Sequence, residues 1–301
     1  MKQKTTPILF FIFFFNVHFS LAQEIPLSEH IIKKTIIYDI KGKDTLRMDV
    51  MRSNKYENNH RQPCLFFMFP GSFAKGVRND PRFNTYFNRM TEEGITVISI
   101  DYRLGMADTW KIPFTNWSNP IGYISAINTA VEDLYSATLY TINNKDKLYI
   151  DSELIMISGS SAGAVTSLQA DWLLNNRKSL SNVLPSGFRY KGVLSFAGAV
   201  FTDFFGIKYS TPPSPTLFIH GNKDKIVPYN QWNFILAKFS GSYSLANIFK
   251  KNKYPYYLIT VENGTHSVSA DAMTAVYMDR IANFIKNFVI NKTTSCIEES
   301  M

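Results

Sequence analysis

The stretch Leu154-Ile155-Met156-Ile157-Ser158-Gly159-Ser160-Ser161-Ala162-Gly163-Ala164 decides how the chain folds. Leu154 to Ile157 is a continuous apolar run, as a strand buried on both faces requires. It enters Gly159-Ser160-Ser161-Ala162-Gly163, a G-x-S-x-G pentapeptide, and a helix is predicted beyond it from Ala164 to about Asn175. A serine at the centre of such a strand–turn–helix elbow is held in a strained backbone conformation that lifts its hydroxyl above the sheet. Gly159 and Gly163 meet the close approach of strand and helix, where no larger side chain fits. The pentapeptide alone also suits an ordinary Gly/Ser-rich loop. The apolar strand before it and the helix after it favour the elbow and make Ser161 a candidate nucleophile.

Upstream, Lys34–Ile40 and Thr45–Met51 alternate apolar and polar residues across Gly42-Lys43-Asp44, a hairpin signal. Cys64 to Phe69 is a second apolar run, ending in Pro70-Gly71-Ser72-Phe73. A helix is predicted over Pro81–Glu93, a strand over Ile95–Ile100 and a long helix over Ile121–Ile142. In that helix Ile124, Ile127, Val131, Leu134 and Thr138 recur at three- and four-residue steps. Downstream, strands are predicted at Gly192–Phe196, Thr216–His220 and Tyr256–Val261. Helices are predicted near Gln231–Phe239 and over residues 269–290, followed by a polar tail from Asn291. Two aromatic, proline-bearing loops, 105–119 (with Trp110, Phe114 and Trp117) and 201–215, read either as the lining of an acyl or aryl pocket or as packing. Strands alternating with helices from residue 64 to 290 predict the α/β class, with a mostly parallel central sheet and helices on both faces. The opening hairpin would add antiparallel strands at one edge, and residues 23–301 read as one domain.

Among the 301 residues, 45% are hydrophobic and 15% aromatic, ample for a large core. Residues 1–22 stand apart. Lys2 and Lys4 precede the apolar run Ile8–Phe15, and Ser20-Leu21-Ala22 offers small residues for cleavage before Gln23. This is the pattern of a secretory signal peptide and predicts a secreted or periplasmic protein. The run is short for a membrane anchor and is broken by Asn16 and His18, so no stable membrane insertion is expected after its removal. Without that segment the formal net charge falls from +8 to +6. The basic residues form scattered pairs such as Lys33-Lys34 and Lys250-Lys251, which argues against a nucleic-acid face. Two cysteines, Cys64 and Cys296, read either as reduced thiols or as a disulfide clipping the tail to the body. No C-x-x-C or His/Cys cluster points to a metal, and no cofactor is expected. Oligomeric state leaves no signal in the sequence.

An activated serine needs a base in hydrogen-bond reach and a group that orients the base. Beyond residue 22 the histidines are His30, His60, His220 and His266. The first two precede the first parallel strand, and His220 ends a strand in a position more often structural. His266 follows the last strand among small residues. In a parallel sheet the carboxyl ends of the strands gather on one edge, so Ser161 and His266 would meet there. For the acid, Asp224 lies four residues past the strand ending at His220, in a turn closed by Val227-Pro228; Asp203, after the preceding strand, is its rival. Ala162 would give one backbone N–H to an oxyanion. The other would come from Gly71 or Ser72, because Pro70 has none.

The order Ser161, Asp224, His266 resembles that of the α/β-hydrolase fold. The chain is similar to the esterase/lipase branch related to hormone-sensitive lipase, carboxylesterases and prolyl-oligopeptidase-like hydrolases. The matching pieces are Asp101-Tyr102-Arg103-Leu104, Ala130-Val131-Glu132-Asp133, Asp151, the Gly159–Gly163 elbow, and His220-Gly221 with Asp224 and Val227-Pro228. One departure stands out: the family's H-G-G-[GA] oxyanion turn is Phe69-Pro70-Gly71-Ser72 here. The resemblance implies a serine esterase acting through an acyl-enzyme on a small-molecule or polysaccharide ester, with acetyl or feruloyl esters of carbohydrates as the exported bacterial examples. Two other classes remain: a serine peptidase of the same fold, against which the missing propeller-like N-terminal domain counts, and a non-catalytic binding module, which the altered turn motivates.

Overall fold

The computed structural model describes residues 25–56, 61–107, 120–235 and 237–301. The expected leader, His60 and residues 108–119 of the first aromatic loop lie outside them. The chain opens on a hairpin of β1 (Ile31–Lys41) and β2 (Asp44–Ser53), closed by Gly42-Lys43. Then come β3 (Gln62–Met68), α1 (Asn84–Glu92, entered through a 3-10 turn at Pro81–Phe83), β4 (Thr96–Ile100), α2 (Pro120–Asn143), a short α3 (Lys145–Leu148) and β5 (Ile150–Ser160). After the elbow follow α4 (Ala162–Asn175), β6 (Val193–Phe196), β7 (Ala199–Asp203), β8 (Thr216–Gly221), β9 (Gln231–Asn233), β10 (Ala237–Gly241) and α5 (Ser242–Asn252). The chain closes with β11 (Tyr256–Val261), α6 (Val268–Asp271), α7 (Ala275–Phe284) and β12 (Cys296–Ser300).

Among the described residues, nine strands form one sheet in the order β1-β2-β4-β3-β5-β6-β8-β11-β12. The pairs β1–β2 and β2–β4 are antiparallel, and every other pair is parallel. The fold is α/β, with a mostly parallel central sheet and helices packed on it. The apolar runs predicted as buried strands are buried: Cys64 to Met68 and Thr96 to Ile100 are inaccessible along their whole length. In α2 the stripe of Ile127, Val131, Leu134 and Thr138 is buried. The β3–α1–β4 crossover winds toward the hairpin edge, whereas β5–α4–β6 winds the other way. Right-handed crossovers in opposite directions put α1 and α4 on opposite faces; α7 packs on α1, and α2 on α4.

Four expectations are corrected. No helix forms near Gln231–Phe239. Those residues make β9 and β10, which join β7 in a separate three-stranded antiparallel sheet, and the helix comes later as α5. Phe239 lies directly opposite both Trp232 and Phe201, so aromatic cross-strand pairs outweigh a helical assignment. The predicted loop at 201–215 accordingly begins inside a strand. The closing helix is interrupted: Thr274 is extended (φ −88°, ψ 169°), and its hydroxyl donates to the Asp271 carbonyl at 2.7 Å, ending α6 before α7 begins. The polar tail is an edge strand. β12 pairs with β11, and Arg280 grips Glu299 at 2.7 Å.

Both cysteines are free. Cys64 is buried in β3, and Cys296 lies on the edge strand five positions along the sheet. At ~4.8 Å per strand they stand far beyond disulfide reach.

Candidate active site

The sheet order reverses direction at β3 and β5, which lie side by side with Met68 opposite Gly159. Such a switch point opens a crevice at the carboxyl ends of the strands. The elbow leaves β5 there, and the Pro70–Phe73 turn leaves β3 there. Backbone packing makes the elbow: a Cβ on Gly163 would sit 2.0 Å from the Met68 carbonyl oxygen, and one on Gly159 would sit 2.3 Å from Gly163. Ser161 is left with φ 51° and ψ −117°, a left-handed conformation rare for a residue with a side chain. Its N–H donates to the Phe196 carbonyl at 2.9 Å, and its own carbonyl accepts from Val165 N at 2.9 Å. Ser160 Oγ donates to the Ser269 carbonyl at 2.7 Å, tying the elbow to α6. Ala162 is the first residue of α4, so its N–H has no acceptor within the helix.

The structure brings Ser161, His266 and Asp224 together. Ser161 Oγ lies 2.8 Å from His266 Nε2, and His266 Nδ1 lies 2.7 Å from Asp224 Oδ2. A carboxylate only accepts, so Nδ1 carries the proton and Nε2 is free to accept from the Ser161 hydroxyl. The Asp224 side chain is fully buried, while that of His266 is 19% exposed. The other carboxylate oxygen, Oδ1, accepts from Ile226 N at 2.8 Å and Val227 N at 3.0 Å. Burial alone would push this carboxyl up; the donations from His220 and His266 outweigh it and hold it well below the usual carboxylate range. Asp203, the rival acid, is exposed at the end of β7 and accepts from Phe205 N in its own turn.

Gly71 and Ser72 sit across the crevice in a tightly strained turn. Gly71 has φ 138°, Ser72 58° and Phe73 59°. The Gly71 carbonyl accepts from Ala74 N at 3.0 Å and Lys75 N at 3.1 Å, so the turn is closed on itself. Ser72, Ser161 and Ala162 line one small recess of about 30 Å³, whose other lining residues include Ile127, Val165, Phe201, Val227 and Phe239 with Tyr123. One wall residue, Phe201, comes from the predicted aromatic loop at 201–215.

The roles of two residues that matter here were not legible in the sequence. Tyr102 stacks on Phe69 with ring centroids 4.3 Å apart, and its hydroxyl donates to the Phe69 carbonyl at 2.8 Å, bracing the start of the turn. Its neighbours in the Asp101-Tyr102-Arg103 motif are structural anchors. Asp101 accepts from Arg78 at 2.9 Å, and Arg103 grips Asp133 and Glu132 of α2 at 2.8 Å each. The motif was visible in the sequence, but its role required the turn's position. The second residue is His220, whose ring lies against Asp224. Among the described residues no cluster of His, Cys, Asp and Glu is arranged to hold a metal, and no helix is long and apolar enough to cross a membrane.

A family model described as BD-FAE matches residues 48–211, more than half of the chain. The chain belongs to the BD-FAE family. That is an α/β-hydrolase-like esterase family, and the protein is a carboxylic ester hydrolase with it. The BD-FAE match takes in the elbow and the turn after β3, and ends before Asp224 and His266. Similar solved structures include the apo form of Thermogutta terrifontis esterase 2, at 14% identity over 87% of this chain and 95% of that one, with a TM-score of 0.62. Its propionate-bound form matches at 14% identity over 85% and 94%, with a TM-score of 0.63. The form phosphonylated by cyclosarin matches at 14% over 87% and 95%, with a TM-score of 0.61. At this identity the likeness is one of fold. No curated protein sequence matches the chain.

Proposed function

We propose that the protein is a secreted serine esterase in which Ser161 is the nucleophile, His266 the base and Asp224 the orienting acid. The observation that carries the reading is the unbroken pair of hydrogen bonds from Ser161 to His266 and from His266 to Asp224, at 2.8 and 2.7 Å. Ser161 Oγ attacks the ester carbonyl carbon as its proton passes to His266 Nε2. The carbonyl oxygen becomes an oxyanion, stabilised by the N–H of Ala162 and that of Gly71 or Ser72. Collapse breaks the bond to the alcohol oxygen, which leaves with the proton from His266. Water then repeats the sequence on the acyl-enzyme, releasing the acid and restoring Ser161.

The recess beside Ser161, at about 30 Å³ and mostly apolar, supports a short acyl group such as acetyl. The propionate bound to Thermogutta terrifontis esterase 2 supports the same size class. The alcohol side is proposed to be a carbohydrate, following the resemblance to exported carbohydrate esterases, with feruloyl esters as the larger acyl alternative. Nitrophenyl acetate, butyrate and longer esters, an acetylated polysaccharide and a methyl ferulate arm test this on residues 23–301. Preference for acetyl, lost in Ser161→Ala, is the expected result. No turnover of any ester, or undiminished turnover by the Ser161→Ala protein, contradicts it.

A further inference from the structure

The strand that leads to Asp224 holds a second histidine against it. His220, the penultimate residue of β8, is wholly buried. Its Nε2 lies 3.2 Å from Asp224 Oδ2 and 3.3 Å from the Val227 carbonyl oxygen. Both are acceptors, so Nε2 carries a proton and divides it between them. Its Nδ1 lies 2.8 Å from Ser242 Oγ, at the start of α5 and likewise buried. With the proton on Nε2, a neutral ring accepts at Nδ1, and the Ser242 hydroxyl donates. Nε2 faces two acceptors and Nδ1 a hydroxyl able to donate to it, so the surroundings suit the Nε2–H tautomer.

Other groups around the ring leave this arrangement intact. Tyr229 packs edge-on against it with centroids 5.6 Å apart; burial raises its phenol, so it stays neutral. Asp224 is the charged group in contact with His220, and His266 stands on the far side of that carboxylate. Oδ2 therefore receives both imidazoles while Oδ1 receives the two backbone N–H groups of Ile226 and Val227. Four donors fix the plane of the carboxylate.

We infer that His220 is a positioning residue for ester hydrolysis: its Nε2–H, set by Ser242, holds Asp224 Oδ2 in line with His266 and shares the carboxylate's negative charge. This rests on the triad proposed above. A ring that donates from Nε2 and accepts at Nδ1 adds a hydrogen bond to Asp224 without adding charge. When His266 takes the proton of Ser161, one imidazolium faces one carboxylate; a second imidazolium on the same oxygen would oppose the first. Removing the His220 donor leaves the full charge of Asp224 to His266, which then holds its proton to higher pH and acts as a base only above it.

The test is the pH profile of kcat/KM for nitrophenyl acetate in the intact enzyme. In His220→Leu the acid limb should move up by about half to one pH unit, with kcat down about tenfold and KM unchanged. His220→Gln places an amide donor near Asp224 and an amide oxygen near Ser242, and should keep kcat within about threefold with the limb unmoved. Ser242→Ala removes only a hydroxyl and should shift the limb in the same direction by less. It decides the matter if the leucine variant does not fold. An unmoved limb in Ser242→Ala and in a folded His220→Leu overturns the inference, as does an equal loss in the leucine and glutamine variants. Failure of the triad itself is separate: it shows as undiminished turnover in Ser161→Ala.

Discussion

The elbow and the turn facing it both hold non-glycine residues at positive φ, and they are braced differently. Ser161 at φ 51°, Ser72 at 58° and Phe73 at 59° all occupy the left-handed region. At the elbow, strand, helix and the neighbouring strand close on one another, and the contacts that fix Ser161 are backbone to backbone across Gly159, Gly163 and Met68. The turn after β3 is closed by its own backbone bonds from Ala74 and Lys75 to Gly71, and side chains brace it from outside. Tyr102 lies on Phe69 and also meets Phe73 edge-on at 6.4 Å. A nucleophile held by the core should be insensitive to its side-chain neighbours, whereas an oxyanion turn held by an aromatic brace should be tunable. The resemblance frames the same contrast: the elbow keeps its family pattern while the turn departs from it.

The largest effect tests the elbow. Gly163→Ala drives a Cβ to 2.0 Å from the Met68 carbonyl oxygen, between two core elements. The folded state should lose about 4 kcal/mol or more, read as a collapsed melting temperature. A variant that melts normally would show that the elbow is not held by this contact. Gly71→Ala looks alike on paper, with a Cβ 1.9 Å from the Lys75 carbonyl oxygen. Gly71 also stands at φ 138°, so alanine is strained there whatever the space, but the turn lies at the surface rather than between two core elements. Melting should fall, by less than in Gly163→Ala, while kcat falls about 10²–10³-fold as the turn's N–H donor is displaced. Equal kcat would remove the turn from the reaction.

Asp171 sharpens the elbow side of the comparison, because α4 carries a buried carboxyl. Ser214 Oγ donates to it at 2.6 Å, yet burial pushes it up to about 6. The unfolded chain releases this proton near pH 4, the folded one only near 6. Stability is therefore lost as pH rises from about 4 to 6, by up to about 3 kcal/mol at 1.36 kcal/mol per pKa unit. Asp171→Asn should flatten this window and melt higher at pH 7, with kcat unchanged. Lower stability at pH 7 would mean that Ser214, Asn175 and Arg189 compensate the charge. The smallest effect probes the brace. Tyr102→Phe keeps the stack and removes the hydroxyl bond to Phe69, costing about 1 kcal/mol of stability and about tenfold in kcat at constant KM. An unchanged kcat would mean that the turn, like the elbow, holds itself.

The same contrast separates what was legible in the sequence from what was not. The elbow was legible because its geometry is written in small residues: Gly159 and Gly163 have no substitute, and apolar strand and helix flank them. The scarcity of histidines and the Asp224 turn pointed to the groups that the structure places beside Ser161. The β1–β2 hairpin and the buried runs of β3 and β4 were equally plain. The three-stranded sheet of β7, β10 and β9 was not, because Trp232, Phe239 and Phe201 pair across strands distant in sequence. His220 and Tyr102 were quoted within motifs, but a motif names neighbours in sequence, and their partners, Ser242 and Phe69, lie 22 and 33 residues away. β12 escaped for the opposite reason: an exposed edge strand needs no apolar pattern.

The central claim is that Ser161 is the activated nucleophile, and fluorophosphonate labelling with peptide mass mapping tests it most directly. The account predicts one adduct, on the peptide containing Ser161, formed quickly in the intact enzyme, slowed strongly in His266→Gln and absent in Ser161→Ala. An adduct on another residue, or equal labelling of the Ser161→Ala protein, would contradict it.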